Sequence, residues 1–300
     1  MVWAFSDGKA GHENQTRGLI AALVRRVPLD VRWIKLPAYA TTLASLMTRR
    51  FLPGADLPPP DLLIGAGHRT HLPLLAARRA RGGRAIVLMK PSLPRVWFDL
   101  SVIPEHDNVT GAKVFTTRGA LNPVQPGAKR ARAGLILIGG PSRHHGWREK
   151  ELLAQIEEIV RREAKIAWTL TTSRRTPPTT TARLAALRAK NLKVVPVQQT
   201  GPGWLPEQLA RAAFAWVTED SVSMVYEALT AGCAVGLLAV PARLRGKKKI
   251  QRGVEALTRD KLVTLFAAWQ RGAQLAPPSP PFNEAARVAD WIVDQWLTAA

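Results

Sequence analysis

Eleven consecutive residues, Thr218-Glu219-Asp220-Ser221-Val222-Ser223-Met224-Val225-Tyr226-Glu227-Ala228, bring hydroxyls and carboxylates together at the opening of a helical pattern. An apolar run at residues 214–217 precedes them, and another at 234–240 follows Gly232. Strand, polar turn, helix and strand in that order place a helix N-terminus at the carboxyl edge of a parallel sheet. Asp220 or Ser221 can cap the helix, leaving free N–H groups aimed outward at an anion. Ser223 and Glu227 are four residues apart and share one helical face. A phosphate on the amides and hydroxyls, with a ribose diol on the Glu227 carboxylate, describes a bound nucleotide sugar. An ordinary capped helix is the plainer reading of the same residues.

Other loops after apolar runs also carry chemistry. Ser6-Asp7-Gly8-Lys9-Ala10-Gly11-His12-Glu13-Asn14-Gln15 leads into a helix, with two glycines for a tight bend but without the three-glycine dinucleotide spacing. His12 is a candidate general base and Asp7 its candidate partner, against the alternative of a helix-capping histidine. Gly65-Ala66-Gly67-His68-Arg69-Thr70, Lys90-Pro91-Ser92 and Ile103-Pro104-Glu105-His106-Asp107 follow the same plan, and Asp107 or His106 offers another acid or base. In the second half, Gly139-Gly140-Pro141-Ser142-Arg143-His144-His145 gives a phosphate access to backbone at Gly140. Ser173 with Arg174 or Arg175 can donate to pyrophosphate oxygens. His144 and His145 lack a nearby acidic set, so they make a poor metal site and are read as lining or linker-side residues. Glu219 and Glu227 flank seven residues, a spacing that suits a nucleotide-sugar site.

The elements that must position these groups alternate along the chain. Strands are expected at residues 2–6, 31–36, 62–65, 85–89, 100–103 and 114–116, with helices at 15–26, 41–50 and 71–80. A turn-rich stretch at 119–134 reads as a linker. Strands then recur at 135–138, 166–171, 194–197, 215–218 and 235–239, with helices at 148–163, 180–190, 207–212, 221–231 and 251–257. A last helix at 284–299 carries Trp291 and Trp296. This βαβ order predicts an α/β chain of two Rossmann-like domains facing each other across a cleft. The first domain is placed at 1–120 and the second at 134–280, with the helix at 281–300 free to cross back to the first.

Composition sets the limits. The chain has 300 residues, 46% of them hydrophobic and 22% charged, enough for two folded domains. No signal segment is read at the start and no apolar run reaches the roughly 20 residues of a spanning helix, so the expected location is cytoplasmic. A single cysteine, Cys233, leaves no internal disulfide and no cysteine-based zinc site. The formal net charge is +21, which attracts polyanions of any kind. The basic segment 243–249 suits phosphates or an anionic membrane surface, at about 1 kcal/mol per charge, and a solvated loop equally well. No nucleic-acid motif accompanies the charge, so no specific nucleic acid is expected.

Taken in order, the loops quoted from Ser6 to His12, Gly65 to His68, Lys90 to Ser92, Ile103 to Asp107, Thr172 to Pro177 and Thr218 to Met224 resemble a bacterial member of the ELM family, named for a plant mitochondrial-fission factor. The resemblance runs from the first strand to about residue 260 and implies a GT-B glycosyltransferase architecture with a nucleotide-sugar donor in the second domain. The plant role implies recruitment of a dynamin-like protein to a membrane. Together these give an expected transfer of sugar from a nucleoside diphosphate sugar to an acceptor, such as an envelope glycan or lipid. Ser173, Arg174, Ser221 and Ser223 are assigned to the pyrophosphate, with Gly140 and Glu219 beside them and Glu227 on the ribose. The helix dipole at Ser221 takes the part that metal ions play elsewhere, so neither metal nor cofactor is expected. His12, or Asp107 as second choice, takes the acceptor proton. Two alternatives stand: a non-catalytic scaffold on the inner face of the membrane through residues 243–249, and a nucleotide-sugar epimerase.

Overall fold

Short apolar strands joined by amphipathic helices favour a parallel sheet buried on both faces, because each helix carries the chain back to start the next strand in the same direction. The computed structural model, which describes residues 1–243 and 247–297 with backbone alone at 247–252, follows that rule throughout. The first half runs β1 (Val2–Phe5), α1 (Ala10–Val24), β2 (Val31–Ile34), α2 (Tyr39–Thr48), β3 (Leu62–Ala66), α3 (His68–Arg81), β4 (Arg84–Leu88), β5 (Leu100–Pro104) and β6 (Val114–Thr117). The second runs β7 (Arg130–Leu137), α4 (Glu149–Arg162), β8 (Ala167–Thr171), α5 (Pro178–Ala186), β9 (Leu192–Val195), α6 (Trp204–Arg211), β10 (Ala212–Thr218), α7 (Val222–Thr230), β11 (Ala234–Leu238), α8 (Lys247–Arg259), β12 (Thr264–Leu265) and α9 (Phe266–Gln270). The last helix, α10 (Glu284–Ile292), continues into a π-helical turn, Val293–Leu297.

The chain divides into unit 1, Met1–Pro123 with Asn283–Ala300, and unit 2, Val124–Phe282. Unit 1 holds a six-stranded sheet of order β2-β1-β3-β4-β5-β6, and unit 2 one of order β12-β11-β10-β7-β8-β9. All the strand pairings in both sheets are parallel. Two Rossmann-like α/β units are therefore present, as the alternation predicts.

In unit 1 the two-residue strand period sorts the core. Val2, Ala4, Leu62 and Ile64 face a cluster with Leu19 and Leu23 of α1 and Val288 and Ile292 of α10. Trp3, Phe5 and Leu63 face the other, with Leu74 and Ala77 of α3. The last helix thus completes a face of unit 1. Its Glu284, 1% exposed, accepts the Arg118 backbone N–H at 2.9 Å and pairs with Arg287 at 2.6 Å. In unit 2, Ile156 and Ile159 of α4 pack on Ile136, Trp168 and Leu170, and Trp216 meets Trp269 edge-on at 5.4 Å between ring centres.

Several boundaries differ from the sequence expectation. Helix α1 starts at Ala10 rather than residue 15, so His12 stands on its first turn rather than in a loop. Helix α3 starts at His68. Strand β7 begins at Arg130, inside the stretch read as linker, because its first residues pair with β10 at a register irregularity while their side chains stay exposed. Strand β12 and helix α9 carry too short an apolar run to be read alone. Among the described residues no helix is long and apolar enough to cross a membrane. Of the basic segment 243–249, residues 244–246 lie outside the described residues, and Lys247–Lys249 open α8 rather than a loop.

Candidate functional site

Open parallel sheets bind ligands where the strand order reverses, outside the carboxyl ends of the strands. In unit 2 that point falls between β7 and β10, and in unit 1 between β1 and β3.

At the unit 2 switch point the loop after β7 is tied to the loop after β10. The Gly139 N–H donates to Thr218 Oγ1 at 2.8 Å and the Gly140 N–H to Asp220 Oδ2 at 2.9 Å. Arg175, from the loop after β8, donates to the Gly140 carbonyl at 2.9 Å and to Asp220 Oδ2 at 2.8 Å. A Cβ at Gly139 would collide with the Asp220 carboxylate, and one at Gly140 with the backbone of Arg175. Glycine is required at both positions by close approach rather than by backbone angle.

Helix α7 starts at this junction. Its N-cap residue is Ser221, which makes no side-chain cap hydrogen bond, and Asp220 is committed to Gly140 and Arg175 instead of the helix. Neither residue plays the capping part expected of it. The first N–H groups of a helix have no intrahelical partner, and Val222 and Ser223 on the first turn are exposed. An amide-rich, electropositive tip thus stands beside the Gly139–Gly140 backbone. Ser223 is exposed and Glu227, half-buried, follows one turn later on the same helix.

Two polar atoms at the junction are buried without a hydrogen-bond partner among the described residues, Asp220 Oδ1 and His145 Nε2. Burial lowers the His145 pKa, with His144 and Arg175 adding to the effect and Asp220 opposing it. Burial raises the Glu219 carboxyl, with Asp220 adding to it against a hydrogen bond from the Val240 N–H. Of the pyrophosphate candidates, Ser173 closes its own turn, accepting from the Arg175 N–H at 3.2 Å and lying 3.2 Å from Thr176 Oγ1. Arg174 is exposed, and the guanidinium that turns into the glycine loop is Arg175's. The sequence reading weighed both arginines and assigned Arg174 to the pyrophosphate, whereas it is Arg175 that reaches Gly140 and Asp220.

At the unit 1 switch point His12 Nδ1 lies 2.9 Å from Asp7 Oδ2. The Asp7 side chain is fully buried. Burial works to raise its carboxyl, but hydrogen bonds from His12 and the Lys9 N–H, with the charges of both residues, bring it below the ordinary value. An ionised Asp7 holds the proton on Nδ1 and leaves Nε2 as the acceptor nitrogen, the arrangement of a carboxylate-oriented general base. Gly67, at φ 86°, lies against this pair, and any Cβ there would strike the His12 ring. Asp107 closes a short turn after β5, two strands from β3, with His106 Nε2 at 3.8 Å. Neighbouring strands are about 4.8 Å apart, so Asp107 follows a strand about 10 Å from β3. Among the described residues no group of three His, Cys, Asp or Glu side chains is placed to hold a metal ion.

The chain is similar to known proteins in sequence and in fold. The sequence model of the family described as Mitochondrial fission ELM1 matches residues 10–296. The protein RP120 of Rickettsia prowazekii (strain Madrid E) is 24% identical, with 97% of each chain covered. Among solved structures, a UDP-N-acetylglucosamine 2-epimerase of Listeria monocytogenes, described as putative, superposes with a TM-score of 0.62 at 12% identity, over 100% of this chain and 97% of that one. A glycosyltransferase from Rickettsia africae ESF-5 superposes with a TM-score of 0.55 at 9% identity, over 100% and 99%. At such identities the likeness is one of fold, and that fold is the two-unit GT-B arrangement of Rossmann-like sheets.

Proposed function

The chain belongs to the mitochondrial fission ELM1 family, and from that premise we propose that it binds a nucleoside diphosphate sugar in unit 2 and transfers the sugar to an acceptor hydroxyl. One observation carries the reading: the uncapped N-terminus of α7 lies at the switch point of a sheet in the Rossmann order, beside the Gly139–Gly140 backbone. Helix N-terminal amides favour an anion, and the dipole adds about 0.3–1 kcal/mol for each charge at an exposed tip. The diphosphate is assigned to the α7 amides with Ser221, Ser223 and Gly140, and Glu227 to the ribose hydroxyls. Ser173, Arg174 and Glu219 border this set. Arg175 acts as a positioning residue, since it fixes both Gly140 and Asp220.

In the transfer step His12 Nε2 takes the acceptor proton as the acceptor oxygen bonds to the anomeric carbon. The bond from that carbon to the diphosphate oxygen breaks, and the leaving nucleoside diphosphate carries the charge that the α7 amides stabilise. Asp7 holds the ring and balances the imidazolium charge. Asp107 is kept as the second choice of base. The assignment uses no metal, and the acceptor, an envelope glycan or lipid, belongs to the unit that carries His12.

The test is product analysis with sugar nucleotides of uridine, guanosine and cytidine. Transfer or slow hydrolysis releases nucleoside diphosphate, whereas epimerisation without an acceptor returns an isomeric sugar nucleotide. For His12→Ala the expected loss of turnover is about 100- to 10,000-fold with donor binding retained. Equal turnover in wild type and His12→Ala would remove His12 from the reaction.

A further inference from the structure

Of its large apolar side chains, helix α2 turns only Leu46 toward the core, and the rest of its inward face is polar. Thr42 and Ser45 are 1% and 3% exposed, while Tyr39, Leu43 and Met47 are 68%, 40% and 83% exposed. The three apolar side chains are spaced four residues apart and form one stripe along the helix. Its polar residues tolerate burial because each hydroxyl donates to its own helix: Thr42 Oγ1 to the Ala38 carbonyl at 3.0 Å, and Ser45 Oγ to the Thr41 carbonyl at 2.8 Å. Such hydroxyls need nothing from α3, against which α2 packs. Leu52, just beyond, is 70% exposed. A contiguous outward apolar face of this kind marks an interaction surface.

Charge identifies what covers it. Residues 31–55 contain no Asp or Glu, and their four cations are Arg32, Lys35, Arg49 and Arg50. All four are exposed, and Lys35 and the Arg49–Arg50 pair bracket α2, which itself carries no charge. A second copy of this chain would bring the same cations and a net charge of +21 to the contact, so self-association is opposed. An uncharged apolar stripe between cationic ends matches an anionic bilayer, where apolar side chains enter the acyl boundary and cations stay with the phosphates. Tyrosine at one end of the stripe suits the headgroup level.

We propose that α2 docks unit 1 on an anionic lipid bilayer, with Tyr39, Leu43 and Met47 inserted and Lys35, Arg49 and Arg50 on the lipid phosphates. The assignment stands apart from the donor and base groups and does not rest on sugar transfer. It also differs from docking through residues 243–249.

Flotation of the full chain with phosphatidylcholine vesicles, with and without phosphatidylglycerol, tests it. Binding is expected only with phosphatidylglycerol, weakening as salt rises. A Tyr39→Ser, Leu43→Ser, Met47→Ser variant is expected to bind about tenfold more weakly with an unchanged melting curve. Because Cys233 is buried, Met47→Cys accepts a polarity-sensitive dye, whose emission is expected to shift to the blue on anionic vesicles. No vesicle binding, binding untouched by the triple variant, or a silent dye with capture of an acidic protein instead would each overturn the proposal.

Discussion

Asp220 ties three loops together through one oxygen. Its Oδ2 accepts from the Gly140 N–H and from Arg175, while Oδ1 is buried without a hydrogen-bond partner among the described residues. A buried carboxylate is tolerated only when paired, and the guanidinium supplies the pairing. Another buried group, His71, has no charged partner of opposite sign among the described residues. It is 2% exposed and faces Ser92 Oγ at 3.2 Å and the Phe98 ring edge-on. Burial, with a smaller contribution from His68, lowers its pKa from 6.5 to about 4. The unfolded chain therefore takes up a proton near pH 6.5 that the folded chain refuses until about pH 4. Stability from this group is whole above pH 6.5 and falls as pH drops toward 4. Denaturant unfolding across that window is expected to show a shallower pH slope in His71→Gln than in wild type. Identical slopes would mean that His71 is charged or accessible in the fold.

At the scale of elements, each glycine's surroundings decide what it does. Gly139 leaves no room beside Asp220, whereas Gly11 on the first turn of α1 has open space around its Cα. Gly139→Ala is expected to cost about 1–3 kcal/mol through forced displacement. Gly11→Ala is expected to be neutral or stabilising by about 0.5–1 kcal/mol, because alanine is the better helix residue. Chemical denaturation of the two variants checks the contrast, and equal effects would contradict the close approach at Gly139. Much of this level was legible in the sequence. The apolar runs of β1, β3 and β10 and the turn residues after them were readable because strand period and turn chemistry are local properties, whereas the strand order that makes them switch points is set by pairing between distant segments. The partner of Asp220 was not legible. It depends on a contact across 45 residues to Arg175, and no local pattern distinguishes Arg175 from Arg174. The outward apolar face of α2 was hidden too, because periodicity locates a stripe without saying which way it turns.

At the scale of the molecule, the chain crosses from unit 1 to unit 2 and returns. Its return is structural: Val288, Ala289 and Ile292 of α10 belong to the core of unit 1. Ile292 is fully buried, and Ile292→Ala is expected to destabilise unit 1 by about 2–5 kcal/mol. Hydrogen exchange should lose protection in β1 and β3 while β7 and β10 keep theirs, and equal loss in both sheets would contradict the assignment of α10 to unit 1 alone.

The central claim, that the α7 tip holds a diphosphate, is tested most directly by calorimetric titration of uridine, guanosine and cytidine diphosphates in the presence of a chelator, comparing wild type with Ser223→Asp. A carboxylate on the exposed first turn of α7 strengthens the helix by about 0.3–1 kcal/mol and repels a phosphate from the same amides. Wild type is expected to bind one of the diphosphates without metal, and Ser223→Asp to be at least as stable yet to lose that binding. A stable Ser223→Asp chain that binds the same diphosphate with undiminished affinity would contradict the claim.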